Sequence, residues 1–171
     1  MTTEEFIAKV SETNPWTARW WRLGQVVVQA GDKAWEVKDL EQRIPENLKA
    51  AGCTGKCRCG RWDYVFWDLD IGHGSNGYGS LGGALHAARR LAKHLDGYRE
   101  VRLSKSGKGV HVRQMFEQPK SAEFDFKEHC LGWAKELEIR VDASPIGRQV
   151  QWLYTPEPRP ARAFEEVEVY G

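Results

Sequence analysis

The sequence predicts an α+β fold, and three observations carry that prediction. A continuous apolar run, Tyr64-Val65-Phe66-Trp67, has the composition of a buried strand. An amphipathic helix follows it: Leu81, Leu85, Ala88, Leu91 and Leu95 recur at three- and four-residue steps, with Arg89, Arg90 and Lys93 on the wet side. Beyond that helix the pattern continues as strand, strand, helix, strand.

Each element has its own signal. Residues 3–12 read as a short helix with Phe6, Ile7 and Val10 on one face, broken by Asn14-Pro15. Trp16–Leu23 and Gln25–Ala30 read as a strand hairpin joined at Gly24. Val37–Ala51 reads as a helix interrupted near Pro45, and Cys53–Gly60 as an excursion with no secondary structure of its own. The run from Tyr64 ends in Asp68-Leu69-Asp70 and a glycine-rich loop, Gly72–Gly79. Asp96-Gly97 closes the helix after it. Glu100–Leu103 is then a strand, Ser104–Gly109 a turn, Val110–Phe116 a strand and Ala122–Glu138 a helix. Ile139–Val141 is a strand running into Asp142. A loop with Pro145 and Gly147 leads to strands around Val150–Leu153 and Phe164–Tyr170.

From Tyr64 on, the order is β-α-β-β-α-β, the ferredoxin-like or RRM-like arrangement. That arrangement hosts many functions and decides none. The expected organisation is a single domain over residues 1–171. Residues 1–60 form a small N-terminal α/β lobe, with a cysteine knuckle at 53–59, and residues 61–171 form the RRM-like core.

With a net charge of +1, the chain is not a polycation that merely coats nucleic acid. Its basic residues do cluster, at Lys105/Lys108/Arg113 and at Arg148/Arg159/Arg162. No stretch is long and apolar enough to span a membrane, and the polar start is unlike a secretory signal. A cytoplasmic protein with no membrane partner is expected. The chain has 8 tryptophans. Such residues build cores or stack on bases.

Asp68 and Asp70 lie at a strand end with one residue between them, so both carboxylates project to one face. Beside a glycine-rich loop they suit Mg²⁺ or Mn²⁺, which take oxygen ligands. Asp142, after a short apolar stretch, is a third carboxylate; two-metal phosphoryl transfer needs such a set. The segment Ser104-Lys105-Ser106-Gly107-Lys108-Gly109-Val110-His111 combines glycines for close backbone approach with serines and lysines as phosphate donors. It is not a Walker loop, because Gly109 follows Gly107-Lys108 where that motif needs Ser or Thr.

Taken in order, Asp-x-Asp at a strand end, helix, strand, Ser-x-Ser-Gly-x-Gly-x-His, helix and Val-Asp resemble the archaeo-eukaryotic primase (AEP) superfamily. The resemblance covers about Tyr64 to Leu153 and is greatest to the small primase-polymerase cores of phages, plasmids and mobile elements. It implies a DNA primase or primase-polymerase, which makes primers on a single-stranded DNA template from NTPs or dNTPs. It implies that Asp68, Asp70 and Asp142 bind two divalent cations. Ser106 and His111 would hold the incoming nucleotide, with Ser104, Lys105 and Lys108 as helpers and Arg148 as a further basic residue. A replicative helicase or an accessory helical domain is the implied protein partner.

Cys53, Cys57 and Cys59 lie within seven residues of one another in a chain with no export signal, which favours zinc or free thiols over disulfides. Structural zinc commonly takes four ligands, and Cys130 and His73 are the candidates for a fourth. The competing reading of the chain is a non-catalytic module that binds a nucleotide or a primer end. An Asp-x-Asp glycosyltransferase would leave the serine-glycine-histidine segment unexplained. A rolling-circle initiator needs a His-x-His motif that the sequence lacks.

Overall fold

The structure is a computed structural model. It describes residues 1–13, 20–21, 24–57 (with no side chain at 57), 60–72, 77–104, 107–141, 150–156 and 167–171. The chain divides into two compact units, Met1–Arg61 with Val150–Pro158, and Trp62–Gln149 with Arg159–Gly171.

In the first unit, helix α1 spans Thr3–Thr13. A reciprocal cap starts it: Glu5 N donates to Thr2 Oγ1 at 3.1 Å, and Thr2 N donates to Glu5 Oε2 at 2.7 Å. Its buried Phe6 meets Tyr154 edge-on, with ring centroids 4.9 Å apart. The strands are β1 (Gly24–Ala30), β2 (Lys33–Glu36), β3 (Leu48–Cys57) and β7 (Val150–Tyr154). All their pairings are antiparallel: β1 with β2, β1 with β3, and β3 with β7.

Three expectations for this unit are corrected. The hairpin partner of β1 is β2, through a two-residue turn in which Gly31 takes φ +58°. Trp20 and Trp21 are helical and buried, not part of a strand; the rest of the expected strand lies outside the described residues. No helix spans Val37–Ala51, and Leu48 to Cys57 is one strand that absorbs most of the supposed cysteine excursion. Small residues explain this. At Gly52 a Cβ would collide with the Gln151 carbonyl of β7, so Ala50-Ala51-Gly52 is a run whose lack of bulk lets a neighbouring backbone approach.

In the second unit, β4 (Trp62–Asp70), β5 (Tyr98–Leu103), β6 (Gly109–Lys120) and β8 (Glu168–Tyr170) form a sheet in the order β4-β6-β5-β8. Every pairing is antiparallel. Hence β4 and β5 run parallel, with β6 inserted between them and helix α2 (Leu81–His94) linking them, a split β-α-β unit. Helix α3 (Phe126–Glu136) follows β6. Side-chain oxygens cap both helices, Ser80 accepting from Gly83 N and Asp125 from Glu128 N; such caps contribute about 1 kcal/mol each.

The core of this unit takes alternate residues of the sheet, Val65, Trp67 and Leu69 on β4 and Val110 and Val112 on β6, against Ala84, Ala88 and Leu91 of α2. Trp67 Nε1 donates to Cys130 O at 3.0 Å, tying the sheet to α3. By pleat alternation, Phe66, Asp68, Asp70, His111 and Arg113 point to the opposite face.

Ile139–Val141 is not a strand, contrary to expectation. Glu138, at φ +54°, ends α3 in a Schellman turn: Ile139 N bonds Ala134 O at 2.8 Å and Glu138 N bonds Lys135 O at 3.2 Å. Those amides are spent on the helix end, and Ile139 buries its side chain in the core without joining a ladder. The last strand is described over Glu168–Tyr170 and pairs with β5, pinned by Arg89 of α2 on the Glu168 carboxylate; residues 164–166 of the expected strand lie outside the described residues.

Candidate functional site

The two aspartates and the serine-glycine-histidine segment meet at one end of the β4–β6 ladder. Asp68 pairs with His111, Leu69 with Val110, and Asp70 with Gly109. The strand register alone therefore brings two motifs distant in sequence into contact.

Gly109 is the floor of the site. A Cβ there would lie 3.2 Å from Asp70 Oδ1 and 3.5 Å from Asp68 Oδ1. Both carboxylates thus converge on one point above a bare Cα. Asp68 Oδ1 is buried, and apart from His111 Nε2, 3.4 Å away, it meets no donor among the described residues. A buried carboxylate oxygen left in this state is costly. A cation shared with Asp70 would compensate it. Two converging carboxylates and a cradle without a side chain fit a hard divalent cation. Among the described residues no three His, Cys, Asp or Glu side chains gather into a metal-binding group.

His111 is neutral at neutral pH. Burial pushes its pKa below the ordinary 6.5, and although Asp68 pulls it up, Arg102 and Arg113 depress it further. The Asp68–His111 contact is accordingly that of a carboxylate with a neutral imidazole, not an ion pair. Arg102, on β5, pairs with His111 from the other side, so Asp68, His111 and Arg102 form a row straight across three strands. The next row is Phe66, Arg113 and Glu100. Arg113 and Glu100 are buried, with Arg113 Nη1 3.9 Å from Glu100 Oε2, and Tyr98 Oη donates to Glu100 Oε1 at 2.6 Å.

The sequence reading missed the roles of Arg102, Arg113 and Glu100. Alternation was the available signal: Arg102 lies two before Ser104, and Arg113 two after His111, so they share the face of His111.

Ser104 is buried and Lys108 exposed, on a turn closed by Ser104 N to Gly109 O at 2.8 Å and Gly107 N to Ser104 O at 3.0 Å. Gly107 has φ +72°, which favours glycine. The Lys108 carbonyl accepts from Ile71 N at 3.0 Å, holding the turn beside the end of β4. Lys105 and Ser106 lie outside the described residues, as do Asp142 and Arg148. The chain is described up to Val141, and its approach is anchored. Tyr78 N donates to Asp70 O at 2.8 Å, Tyr78 Oη accepts from Arg140 N at 3.0 Å, and Arg140 Nη1 donates to Gly77 O at 3.0 Å.

The cysteines divide. Cys53 is buried within β3, while Cys59 and His73 lie outside the described residues. Cys130, the other candidate ligand, is a free and buried cysteine of the second unit. It is a core residue packed against the Phe66 carbonyl, and burial pushes its thiol far above the usual range.

No family model and no curated protein matches the chain. Among solved structures, the AEP domain of the cyanophage S-2L primase-polymerase superposes on it with a TM-score of 0.50 and 11% identity, over 87% of this chain and 80% of that one. The chain has an AEP-like α+β fold. At that identity the likeness is one of fold. No described helix is long and apolar enough to cross a membrane.

Proposed function

We propose that this chain is a template-directed nucleotidyltransferase of the primase-polymerase type, acting on a single-stranded DNA template with NTPs or dNTPs. One observation carries the reading: the Asp68 and Asp70 carboxylates converge over Gly109, with a neutral His111 against them. The AEP-like fold supports it at the level of architecture.

Asp68 and Asp70 would hold the divalent cations, Mg²⁺ or Mn²⁺, with Asp142 as the third carboxylate. A cation held by these carboxylates would supply activation of the attacking hydroxyl and charge neutralisation at the leaving pyrophosphate. The tether from Asp70 through Tyr78 to Arg140 favours delivery of Asp142 to this end of the sheet, since Asp142 follows two residues later. His111, as a neutral imidazole, orients a nucleotide by hydrogen bonding. In this reading it acts as a nucleotide clamp rather than as a proton shuttle. Arg102 adds positive charge on the same face, where Arg113 is paired with Glu100, and the Ser104–Lys108 turn supplies amides and donors for phosphate, with Ser106 and Lys105 among them. Arg148 is a further phosphate contact in this reading. The protein's share is positioning and charge, which is most of what phosphoryl transfer requires.

The test is primer synthesis. Wild-type protein, single-stranded DNA, Mg²⁺ or Mn²⁺ and labelled nucleotides should give labelled oligomers, or extension of an annealed primer. The Asp68→Ala/Asp70→Ala variant should give neither. Failure of the wild type on both substrates would leave a nucleotide- or primer-end-binding module as the better reading.

A further inference from the structure

Helix α3 carries a groove that the site above does not use. It is open and about 560 Å³ in volume, and Asp125, Glu128, His129, Gly132 and Glu136 line it. Those positions follow three- and four-residue steps along one helix face. Phe124 and Trp133 complete the lining. Because α3 packs on the hydrophobic side of the sheet, the groove is remote from the face that bears Asp68 and His111.

Two features of the groove point outward. The first is charge. Its lining includes three carboxylates, those of Asp125, Glu128 and Glu136, and no lysine or arginine. His129 does not offset them. Gln114 spends its amide NH₂ on Asp96 Oδ1 at 2.9 Å, so its Oε1 accepts the Nε2 proton of His129 at 3.0 Å. Burial, the larger cause, and Lys120 also hold His129 below its ordinary pKa, despite the opposing pull of Asp96. A negatively lined groove repels nucleic acid and attracts a cationic protein segment.

The second feature is Gly132. It stands exposed in mid-helix, and a Cβ there would meet nothing within 4 Å. Glycine is the poorest helix former after proline, and packing within the unit does not demand it. Its effect is to keep the floor of the groove low between an aromatic side chain and two glutamates.

We propose that this groove docks a basic segment of a partner protein. An apolar anchor of that segment lies over Gly132 against Trp133 and Phe124, and its lysines or arginines pair with Asp125, Glu128 and Glu136. The proposal is independent of the nucleotidyl-transfer reading, because it concerns the opposite side of the sheet.

The test uses the full chain and a fluorescein-labelled twelve-residue peptide that alternates Lys or Arg with Leu and contains one Trp. Binding is followed by fluorescence anisotropy. Saturable binding that weakens with salt is expected. Gly132→Leu, which fills the floor, and Glu128→Lys/Glu136→Lys, which reverses the charge, should each weaken it at least about ten-fold. Gly132→Ala should raise the melting temperature while weakening binding less, which separates a filled groove from a damaged helix. Equal affinity of wild type and both variants would overturn the proposal, as would no binding by the wild type. Self-association of the wild type, abolished by Gly132→Leu in sedimentation, would assign the groove to a second copy and overturn it too.

Discussion

His111 faces Asp68 directly across the β4–β6 ladder, its Nε2 3.4 Å from Asp68 Oδ1, and Arg102 flanks it from β5. A neutral imidazole in that place donates one hydrogen bond and carries no charge. His111→Gln keeps a donor of similar reach, whereas His111→Ala leaves none. We expect His111→Ala to raise the KM for nucleotide about ten-fold or more, and His111→Gln to recover part of that loss. Steady-state kinetics at fixed primer concentration measure the difference.

Gly109 offers a steric test of the convergence of the carboxylates. In Gly109→Ala the new methyl would lie 3.2 Å from Asp70 Oδ1 and from Leu69 O, and 3.5 Å from Asp68 Oδ1. The crowding should cost about 1–2 kcal/mol of stability. It should also depress nucleotide incorporation by more than about a hundred-fold, since it pushes apart the two groups that share a cation. Urea unfolding and incorporation assays on the same preparation separate the two effects.

Tyr78 joins two segments that are distant in sequence. Its amide holds Asp70 O at 2.8 Å, and its hydroxyl accepts from Arg140 N at 3.0 Å. Tyr78→Phe removes only the second link. It should cost about 1 kcal/mol of stability and raise the metal concentration needed for half-maximal activity, because Asp142 lies just beyond Arg140. Activity against Mg²⁺ concentration is the readout.

His129 makes the second unit acid-sensitive. Its folded pKa lies below the ordinary 6.5, chiefly through burial. The unfolded chain therefore binds its proton more readily, and stability falls as pH drops from about 6.5 toward the folded pKa. Above that window the contribution is complete. Wild type should lose more stability between pH 7.5 and 5.5 than His129→Gln does, as read by urea melts at the two pH values.

The sequence carried much of the second unit because its signals are local. The apolar run of β4, the 3.6-residue period of α2 and the glycines of the turn after Ser104 each specify their own element. The shared face of Asp68 and Asp70 also follows from a local rule, strand alternation. What was not legible depended on partners. Leu48–Cys57 has small residues that suit a helix as well as a strand, and only β1 and β7 make it a strand. Ile139 reads as a strand residue until the Schellman turn takes its amide. Arg113 reads only as one of a basic cluster and Arg102 is not singled out, because charge in a sequence does not show burial; strand alternation from Ser104 and His111 was the signal that places both on the site's face. Trp20 and Trp21, read as strand residues, are buried and helical.

The central claim is that Asp68 and Asp70 form a divalent-cation site that serves a nucleotide. Mn²⁺ binding followed by electron paramagnetic resonance, with and without a nucleoside triphosphate, tests it most directly. The account predicts Mn²⁺ binding by the wild type that tightens when nucleotide is added, and loss of both the binding and the tightening in Asp68→Asn/Asp70→Asn, with the melting temperature preserved. Equal Mn²⁺ binding by the wild type and that variant would contradict it.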